Sequence, residues 1–188
     1  RDTGAQQPDD IDDHVAAIAR DDVACFIYTS GTGGTPKGVM LTQGNLLANG
    51  KMAFQLLSML GLGEQEIFLS FLPLSHAYEH TAGQFFPMTI GAQIYYASGV
   101  EYLSGELTEV QPTIMTAVPR LYESLYQRIL RGVRKAPKVR QALFQRALDL
   151  GRKRYHGERL GLLERLQDRV LDKLVRDKVR ARFGGRLK

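Results

Sequence analysis

Apolar runs alternate with amphipathic segments in the part of the chain that ends at Pro119. Four runs rich in aliphatic and aromatic residues predict strands: VACFIYT (23–29), EIFLSFLPL (66–74), AQIYYAS (92–98) and TIMTAVP (113–119). The first run is continuously apolar, which predicts a strand buried on both faces. The segments between the runs predict helices over 44–60, 77–91 and 101–112. Strands and helices in this order predict an α/β fold with a mostly parallel sheet and right-handed βαβ crossovers.

Beyond Pro119 the pattern is helical throughout. Apolar residues at helical spacing predict helices over 120–135, 138–157 and 161–183, separated by Pro137 and Gly157. The last helix carries an apolar stripe, the kind of face that usually packs on a core. The stripe consists of Leu163, Leu166, Val170, Leu174 and Val175. In the earlier helix over 77–91, Pro87 is expected to interrupt the helical pattern.

The two parts of the chain have opposite charge. Residues 120–188 contain 21 Lys and Arg and 7 Asp and Glu, whereas residues 1–119 contain 4 and 13. We therefore divide the chain into an acidic polar lead-in (1–22), a parallel α/β part (23–119) and a basic helical segment (120–188). Three interpretations of the basic segment stay open: a solvated face, a surface for anionic membrane lipid, and a surface for nucleic acid. Because no aromatic residues are interleaved for base stacking, we expect no nucleic acid partner.

The cysteine content and the hydrophobic pattern bear on cellular location. The one cysteine, Cys25, stands in an apolar run, which predicts a buried structural thiol rather than a nucleophile. No stretch approaches the roughly 18 uncharged apolar residues of a membrane span. A cytoplasmic protein is the expectation, with peripheral contact to the inner face of a membrane as an addition. The pattern contains nothing that indicates an oligomeric state.

A glycine-rich loop, YTSGTGGTPKG (28–38), follows the first predicted strand. Glycines let backbone N–H groups turn toward an anion, hydroxyls donate further hydrogen bonds, and Lys37 adds a positive charge. The loop is not a Walker A motif, because Pro36 precedes the lysine and Gly38 follows it. A phosphate loop of another kind and a plain glycine turn before a hairpin both remain open. The number of constrained positions favours the phosphate loop.

The same stretch resembles the signature of the adenylate-forming superfamily, which includes acyl-CoA synthetases, luciferases and the adenylation domains of peptide synthetases. The family pattern is Tyr-Thr-Ser-Gly-Thr/Ser-Thr-Gly-x-Pro-Lys-Gly. Residues 28–32 and 34–38 match this pattern, and Gly33 replaces a threonine or serine. The resemblance implies that the loop binds the phosphates of ATP through Thr29, Ser30, Gly31, Thr32, Gly33, Gly34, Thr35, Pro36, Lys37 and Gly38.

Two further segments extend the resemblance. FLPLSHAYEH (71–80) is similar to a family block in which Pro-Leu-x-His precedes an acidic residue, here filled by Pro73, Leu74, His76 and Glu79. This implies that His76 lies near the acyl-adenylate, while His80 is expected on a helix surface. TIMTAVPRLYESLYQRI (113–129) resembles the segment of long-chain acyl-CoA synthetases where a strand ends at Val-Pro-Arg and a helix follows. Together with the long basic region, it favours a long acyl substrate.

The reaction implied by the resemblance is that of an AMP-forming fatty acid–CoA ligase. A fatty carboxylate attacks the α-phosphorus of ATP, and the thiol of coenzyme A then displaces AMP from the acyl-adenylate. Lys37 would stabilise the departing pyrophosphate, Mg²⁺ would bridge phosphates, and Thr29 would offer the metal a hydroxyl. The partners are then small-molecule substrates. An aryl or short-chain CoA ligase and a peptide-synthetase adenylation domain remain alternatives.

The resemblance covers only a central part of such an enzyme. The last residues, ARFGGRLK (181–188), look like the approach to the next sheet strand. The family's ribose-binding aspartate, hinge and C-terminal catalytic lysine have no counterpart in this chain. We therefore expect a partial domain of a larger enzyme, and we expect this piece to be inactive by itself.

Overall fold

The computed structural model describes residues 10–30 and 34–188. Its strands are β1 (Val23–Thr29), β2 (Lys37–Thr42), β3 (Ile67–Ser70) and β4 (Gln93–Tyr96). Its α-helices are α1 (Ile11–Ala17), α2 (Gln43–Leu57), α3 (Ala77–Glu79), α4 (Phe86–Thr89), α5 (Leu103–Val110), α6 (Pro119–Arg134), α7 (Lys138–Tyr155), α8 (Leu162–Leu171) and α9 (Asp177–Ala181). A short 3₁₀ helix covers Ser58–Leu60, and π-helical turns cover His80–Phe85 and Asp172–Arg176.

The predicted α/β fold is confirmed, and its parallel strands form the centre of the α/β part. Strand β3 pairs with β4 in parallel, and Ile114 adds a parallel bridge to Phe68 on the other side of β3. The predicted fourth strand (113–119) is therefore reduced to a single bridge. The residues after Ile114 make other contacts: the hydroxyl of Thr116 donates to Glu79, and helix α6 begins at Pro119.

The prediction that the first strand is doubly buried is wrong. Strand β1 pairs antiparallel with β2, and its side chains Phe26 and Tyr28 are exposed, while Ile27 is buried. The reason is the length of the connection. A parallel crossover needs a dozen or more residues, and only residues 30–36 separate the two strands, which suits a hairpin.

The helix predicted over 77–91 is irregular at a different place from the one expected. Its backbone widens into the π-helical turn His80–Phe85 before α4 begins. Pro87 does not interrupt it, because it stands in the first turn of α4, where its missing N–H has no helical partner to lose. The helix predicted over 44–60 is confirmed as α2 and the 3₁₀ turn after it.

The basic segment folds into the predicted helices and has a small core of its own. Ala147 and Leu150 of α7 are buried against Leu171 of α8, with Leu160 and Val175 packed around them. No helix in the described ranges combines the length and apolar character that crossing a membrane requires.

The apolar stripe of the last helical stretch does not face this core, apart from Val175. Leu163, Leu166, Val170 and Leu174 are 74%, 61%, 49% and 49% exposed. The face turned toward α7 carries Glu164, Asp168, Leu171 and Val175 instead, which repeat with the same helical spacing. On that face Leu171 and Val175 join the core, and Glu164 and Asp168 come within ion-pair distance of Lys153 and Arg154 of α7.

The end of the chain returns to the sheet. The N–H of Lys188 donates to the carbonyl of Thr113 at 3.0 Å, which fits the expected approach to a further strand. Phe183 and Leu187 pack on the buried leucines Leu69, Leu103, Leu107 and Leu121. Gly184 (φ +81°) allows this return, because a Cβ there would collide with the carbonyl oxygen of Leu107.

Candidate functional site

The glycine-rich loop lies at the tip of the β1–β2 hairpin. Thr29 and Lys37 face each other across the last pair of the ladder, and both are exposed. Ser30, Thr35 and Pro36 are exposed as well. Gly31, Thr32 and Gly33 lie outside the described residues. The hairpin interpretation is thus correct for the backbone, and it leaves phosphate binding by this tip as a prediction.

The two described glycines of the loop serve different purposes. Gly34 has a φ of +83° and nothing within 4 Å of where a Cβ would stand, so it supplies the turn beside open space. At Gly38 a Cβ would lie 3.1 Å from Cε1 of Tyr28, so the tyrosine ring rests against the bare backbone. Exposed hydroxyls, a lysine and open space around a glycine turn form a donor set suited to a polyanion such as a triphosphate.

His76 begins the short helix α3 and caps it with its own ring. Its Nδ1 accepts the backbone N–H of Tyr78 at 3.2 Å. A neutral ring that accepts at Nδ1 must hold its proton on Nε2, so that atom is a hydrogen-bond donor. The side chain is exposed, and the donor is therefore available to an oxyanion.

Glu79, three residues further along, is completely buried. The hydroxyl of Ser70 donates to its Oε1 at 2.6 Å, and the hydroxyl of Thr116 donates to its Oε2. Gly83 has to be a glycine because a Cβ there would overlap Oε1 of the same carboxyl group. The sequence motif named Glu79 without a role. The structure shows that it ties β3 and residue 116 to the segment that presents His76.

His80 is not on a helix surface, contrary to the prediction. Its ring packs on Phe85 with centroids 4.8 Å apart, and its Nε2 lies 3.8 Å from Sγ of Cys25. Cys25 itself is half-buried rather than fully buried. Sequence spacing could not reveal this pair, because the two residues are 55 positions apart. The contact connects the hairpin that carries Lys37 to the segment that carries His76.

These groups gather at one edge of the parallel strands. Ser70 is the last residue of β3, and Thr116 follows the Ile114 bridge. His76 lies in the connection between β3 and α3. Ligands of open α/β sheets bind outside the carboxyl ends of the strands, which is this edge. A cavity of about 290 Å³ opens there, lined by Phe71, Leu72, Val100, Val118 and Arg120, among others. The sequence did not predict this cavity.

The opposite edge of β3 also carries a buried carboxylate. Glu66 is fully buried and forms an ion pair with Nζ of Lys188 at 2.5 Å. Burial alone would raise the pKa of Glu66, but hydrogen bonds from Lys188 and Thr113 and the nearby charges hold that pKa below its usual range. This pair joins the end of the chain to the start of β3, away from the candidate site.

Metal binding by protein side chains has little to build on in the described parts of the chain. Residues 10–30 and 34–188 hold no group of three or more His, Cys, Asp or Glu arranged to hold a metal ion. Thr29, predicted to offer Mg²⁺ a hydroxyl, is exposed at the end of β1, so its hydroxyl is accessible to a metal ion that accompanies bound phosphates.

Comparison with known proteins places most of the chain in one family. The family described as "AMP-binding enzyme" matches residues 2–185. The "Long chain acyl-CoA synthetase 6, peroxisomal" of Arabidopsis thaliana is 35% identical over 170 residues, covering 89% of this chain and 23% of that protein. The "Long-chain-fatty-acid--CoA ligase 2" of Schizosaccharomyces pombe is 36% identical over 180 residues, covering 89% of this chain and 24% of that protein.

A solved structure with the same fold is the o-succinylbenzoate CoA synthetase of Bacillus subtilis, bound to a product analogue. It matches with a TM-score of 0.51 and 29% identity, covering 59% of this chain and 23% of that one. The chain thus spans about a quarter of the length of the relatives that it matches.

Proposed function

Because the chain belongs to the family of AMP-binding enzymes, we propose that it supplies the phosphate-binding loop of an ATP-dependent fatty acid–CoA ligase. The observation that carries the proposal is the hairpin tip, where Thr29, Ser30, Thr35 and Lys37 stand exposed around the open turn at Gly34. The fatty acid substrate is inferred from relatives whose names specify long-chain acyl substrates.

The loop would act on the charged half of the reaction. When a carboxylate attacks the α-phosphorus of ATP, negative charge accumulates on the departing pyrophosphate. Hydroxyl and backbone donors of residues 29–38 would surround that charge, and Lys37 would neutralise part of it. The pairing of Thr29 with Lys37 holds the backbone at the base of the tip, and donors positioned in this way would lower the barrier.

The carboxyl edge of the parallel strands would hold the acyl half. The Nε2–H of His76 would donate to an oxygen of the carboxylate or acyl-adenylate, and Glu79 would keep the segment of His76 in place through Ser70 and Thr116. The mainly apolar cavity beside Phe71 and Val118 is suited to part of an acyl chain. ATP and coenzyme A enter this scheme as substrates.

Magnesium is proposed as the ion that accompanies ATP. When bound, it would neutralise negative charge on the departing pyrophosphate. From this chain, Thr29 would contribute one hydroxyl to it.

The test is fatty-acid-dependent exchange of labelled pyrophosphate into ATP, measured on the intact protein. We expect Lys37→Ala to reduce the exchange rate roughly a hundredfold, the loss typical of one removed charge-stabilising group. Lys51→Ala is the matched control, because Lys51 is an exposed lysine on the neighbouring helix α2 and should leave the rate unchanged.

Two results would contradict the proposal. If Lys37→Ala exchanges at the rate of the control, the hairpin tip does not act on pyrophosphate. If the intact protein prefers benzoate or an amino acid to a fatty acid, it is one of the other adenylate-forming enzymes considered above.

A further inference from the structure

An apolar groove lies between α6, α7 and α9, beside the cavity near the candidate site, with which it shares Arg128. Its volume is about 360 Å³, and its lining includes Val133, Leu143, Phe144 and Val179. Four cationic side chains also line it, namely Arg128, Arg140, Lys178 and Arg182. None of the described residues that line it is acidic. We call this surface the basic groove.

The four cations of the basic groove have no acidic partner in the described structure. The cations that face α8 behave differently. Lys153 pairs with Glu164 at 2.7 Å, and Arg154 and Arg176 pair with Asp168. The helical part therefore neutralises its cations on one surface and leaves them open on another, which creates a local positive potential.

The exposed apolar stripe adjoins the basic groove. Leu174 belongs to both, and Val170, Leu166 and Leu163 continue the stripe along α8. A surface that combines leucines with uncompensated arginine and lysine matches the composition of helices that lie in a membrane interface.

We propose that the basic groove and the stripe dock on a membrane surface of anionic phospholipid. Lipid phosphates pair with Arg128, Arg140, Lys178 and Arg182, while the apolar side chains enter the boundary between headgroups and acyl chains. The inference concerns a different surface from the candidate site, and it does not depend on the reaction proposed above.

Charge complementarity favours lipid over the other possible occupants. A protein partner with an apolar contact surface would bury four unpaired cations, and their desolvation would oppose binding. A polynucleotide would pair with the cations but would leave the groove and the leucine stripe without a matching apolar surface. Anionic lipid satisfies both the charges and the apolar area.

The test is cosedimentation of the intact protein with vesicles at physiological salt. Vesicles of phosphatidylcholine with a fraction of phosphatidylglycerol are compared with pure phosphatidylcholine. The groove variant carries Arg140→Glu, Lys178→Glu and Arg182→Glu, and Arg128 is left intact because it also lines the cavity near the candidate site. The matched control carries Arg131→Glu, Arg134→Glu and Arg159→Glu, which are exposed and do not line the groove.

We expect the unmodified protein to prefer the anionic vesicles. The groove variant should lose roughly a hundredfold in affinity, because each cation near an anionic surface contributes about fivefold and the three contributions multiply. The control variant should lose less than about threefold. Leu163→Ser with Leu166→Ser should weaken binding while preserving all charges. Pyrophosphate exchange with a soluble acid should be the same in the groove variant as in the unmodified protein.

Several outcomes would overturn the proposal. Equal losses in the groove and control variants would indicate diffuse charge attraction, and equal affinity for a DNA duplex would indicate a polynucleotide surface. A groove variant that changes the oligomeric state, or that unfolds more easily, would indicate that protein covers the groove. If the glutamate variant does not fold, the glutamine versions of the same three residues replace it, with the same expected direction.

Discussion

Glu79 of the α/β part and Asp168 of the helical part are both buried, and their carboxyl groups are satisfied with different chemistry. Glu79 accepts hydrogen bonds from the hydroxyls of Ser70 and Thr116. Asp168, in α8, is held by the guanidinium groups of Arg176 at 2.6 Å and Arg154 at 3.2 Å. The first arrangement uses neutral donors from strand ends, and the second uses cations from neighbouring helical turns.

The difference follows from the surroundings of each group. Glu79 lies beneath the carboxyl edge of the parallel strands, where the hydroxyls of Ser70 and Thr116 are the donors that reach it. Asp168 lies between two solvated helices, where arginine stems cover apolar surface and their charged ends remain partly in water. Neutral donors fix geometry without changing the local field, whereas cations bind more tightly but respond to salt and pH.

The largest effect is expected from Glu79→Ala. It removes the shared acceptor of two hydroxyls in a fully enclosed position, and each orphaned group costs about 1–3 kcal/mol, so the free energy of unfolding should fall by about 3–5 kcal/mol. Urea unfolding of the intact protein measures this loss. Glu123→Ala, on the exposed face of α6, is the control and should stay within about 0.5 kcal/mol. If Glu79→Ala lowers the free energy of unfolding no more than Glu123→Ala does, the hydroxyl donors do not hold Glu79 in the way described.

A smaller effect is expected from Asp168→Ala. Arg154 is largely solvated and Arg176 is partly so, and both can regain water when the carboxylate is removed, so the loss should be about 2–3 kcal/mol. Faster amide exchange in α7 and α8 would report it locally. Asp149→Ala, which removes a more exposed carboxylate from α7, should leave exchange in α8 unchanged.

The smallest effect is the contribution of Asp168 to the pH dependence of the free energy of unfolding. The hydrogen bond from Arg176 holds the pKa of Asp168 below its usual range, although burial opposes this. A lowered folded-state pKa stabilises the protein above the unfolded-state pKa of about 4, and this stabilisation is lost as the pH falls through the folded-state pKa.

The stability difference between the unmodified protein and Asp168→Asn should therefore shrink as the pH is lowered from neutral toward 3, as measured by urea unfolding. A difference that stays constant over this range would show that the arginine pairs contribute nothing specific to the ionised form.

Much of the fold was readable from periodicity, because its elements obey local rules. The helical segments beyond Pro119 and the strands β3 and β4 were predicted from spacing alone. The apolar stripe correctly predicted that its segment is helical, but it did not predict which face of the helix packs on α7. Leu163 and Asp168 lie on faces of equal periodicity, and the buried face is decided by the position of α7, on which Leu171 and Val175 pack and whose cations pair with Glu164 and Asp168. That position is a tertiary fact, absent from any local window of sequence.

The candidate site was predictable where a motif names its residues and unpredictable where contacts cross the chain. The loop around Lys37 and the position of His76 follow from short motifs. Glu79 was named by its motif, but its partner Thr116 stands 37 positions away, and the pairing of Cys25 with His80 spans 55. Roles in phosphate and carboxylate binding remain predictions that the exchange assay addresses.

The hydrogen bond between Lys188 and Thr113 makes the whole basic segment an excursion that leaves the sheet and comes back beside its point of departure. The entropy of closing a long loop grows only with the logarithm of its length, so doubling such an excursion costs about 0.6 kcal/mol. Helices can therefore be lengthened, shortened or exchanged between the two anchors at small thermodynamic cost. The sheet edge that carries the candidate site would keep its geometry as long as α6, which lines the cavity there, stays in place.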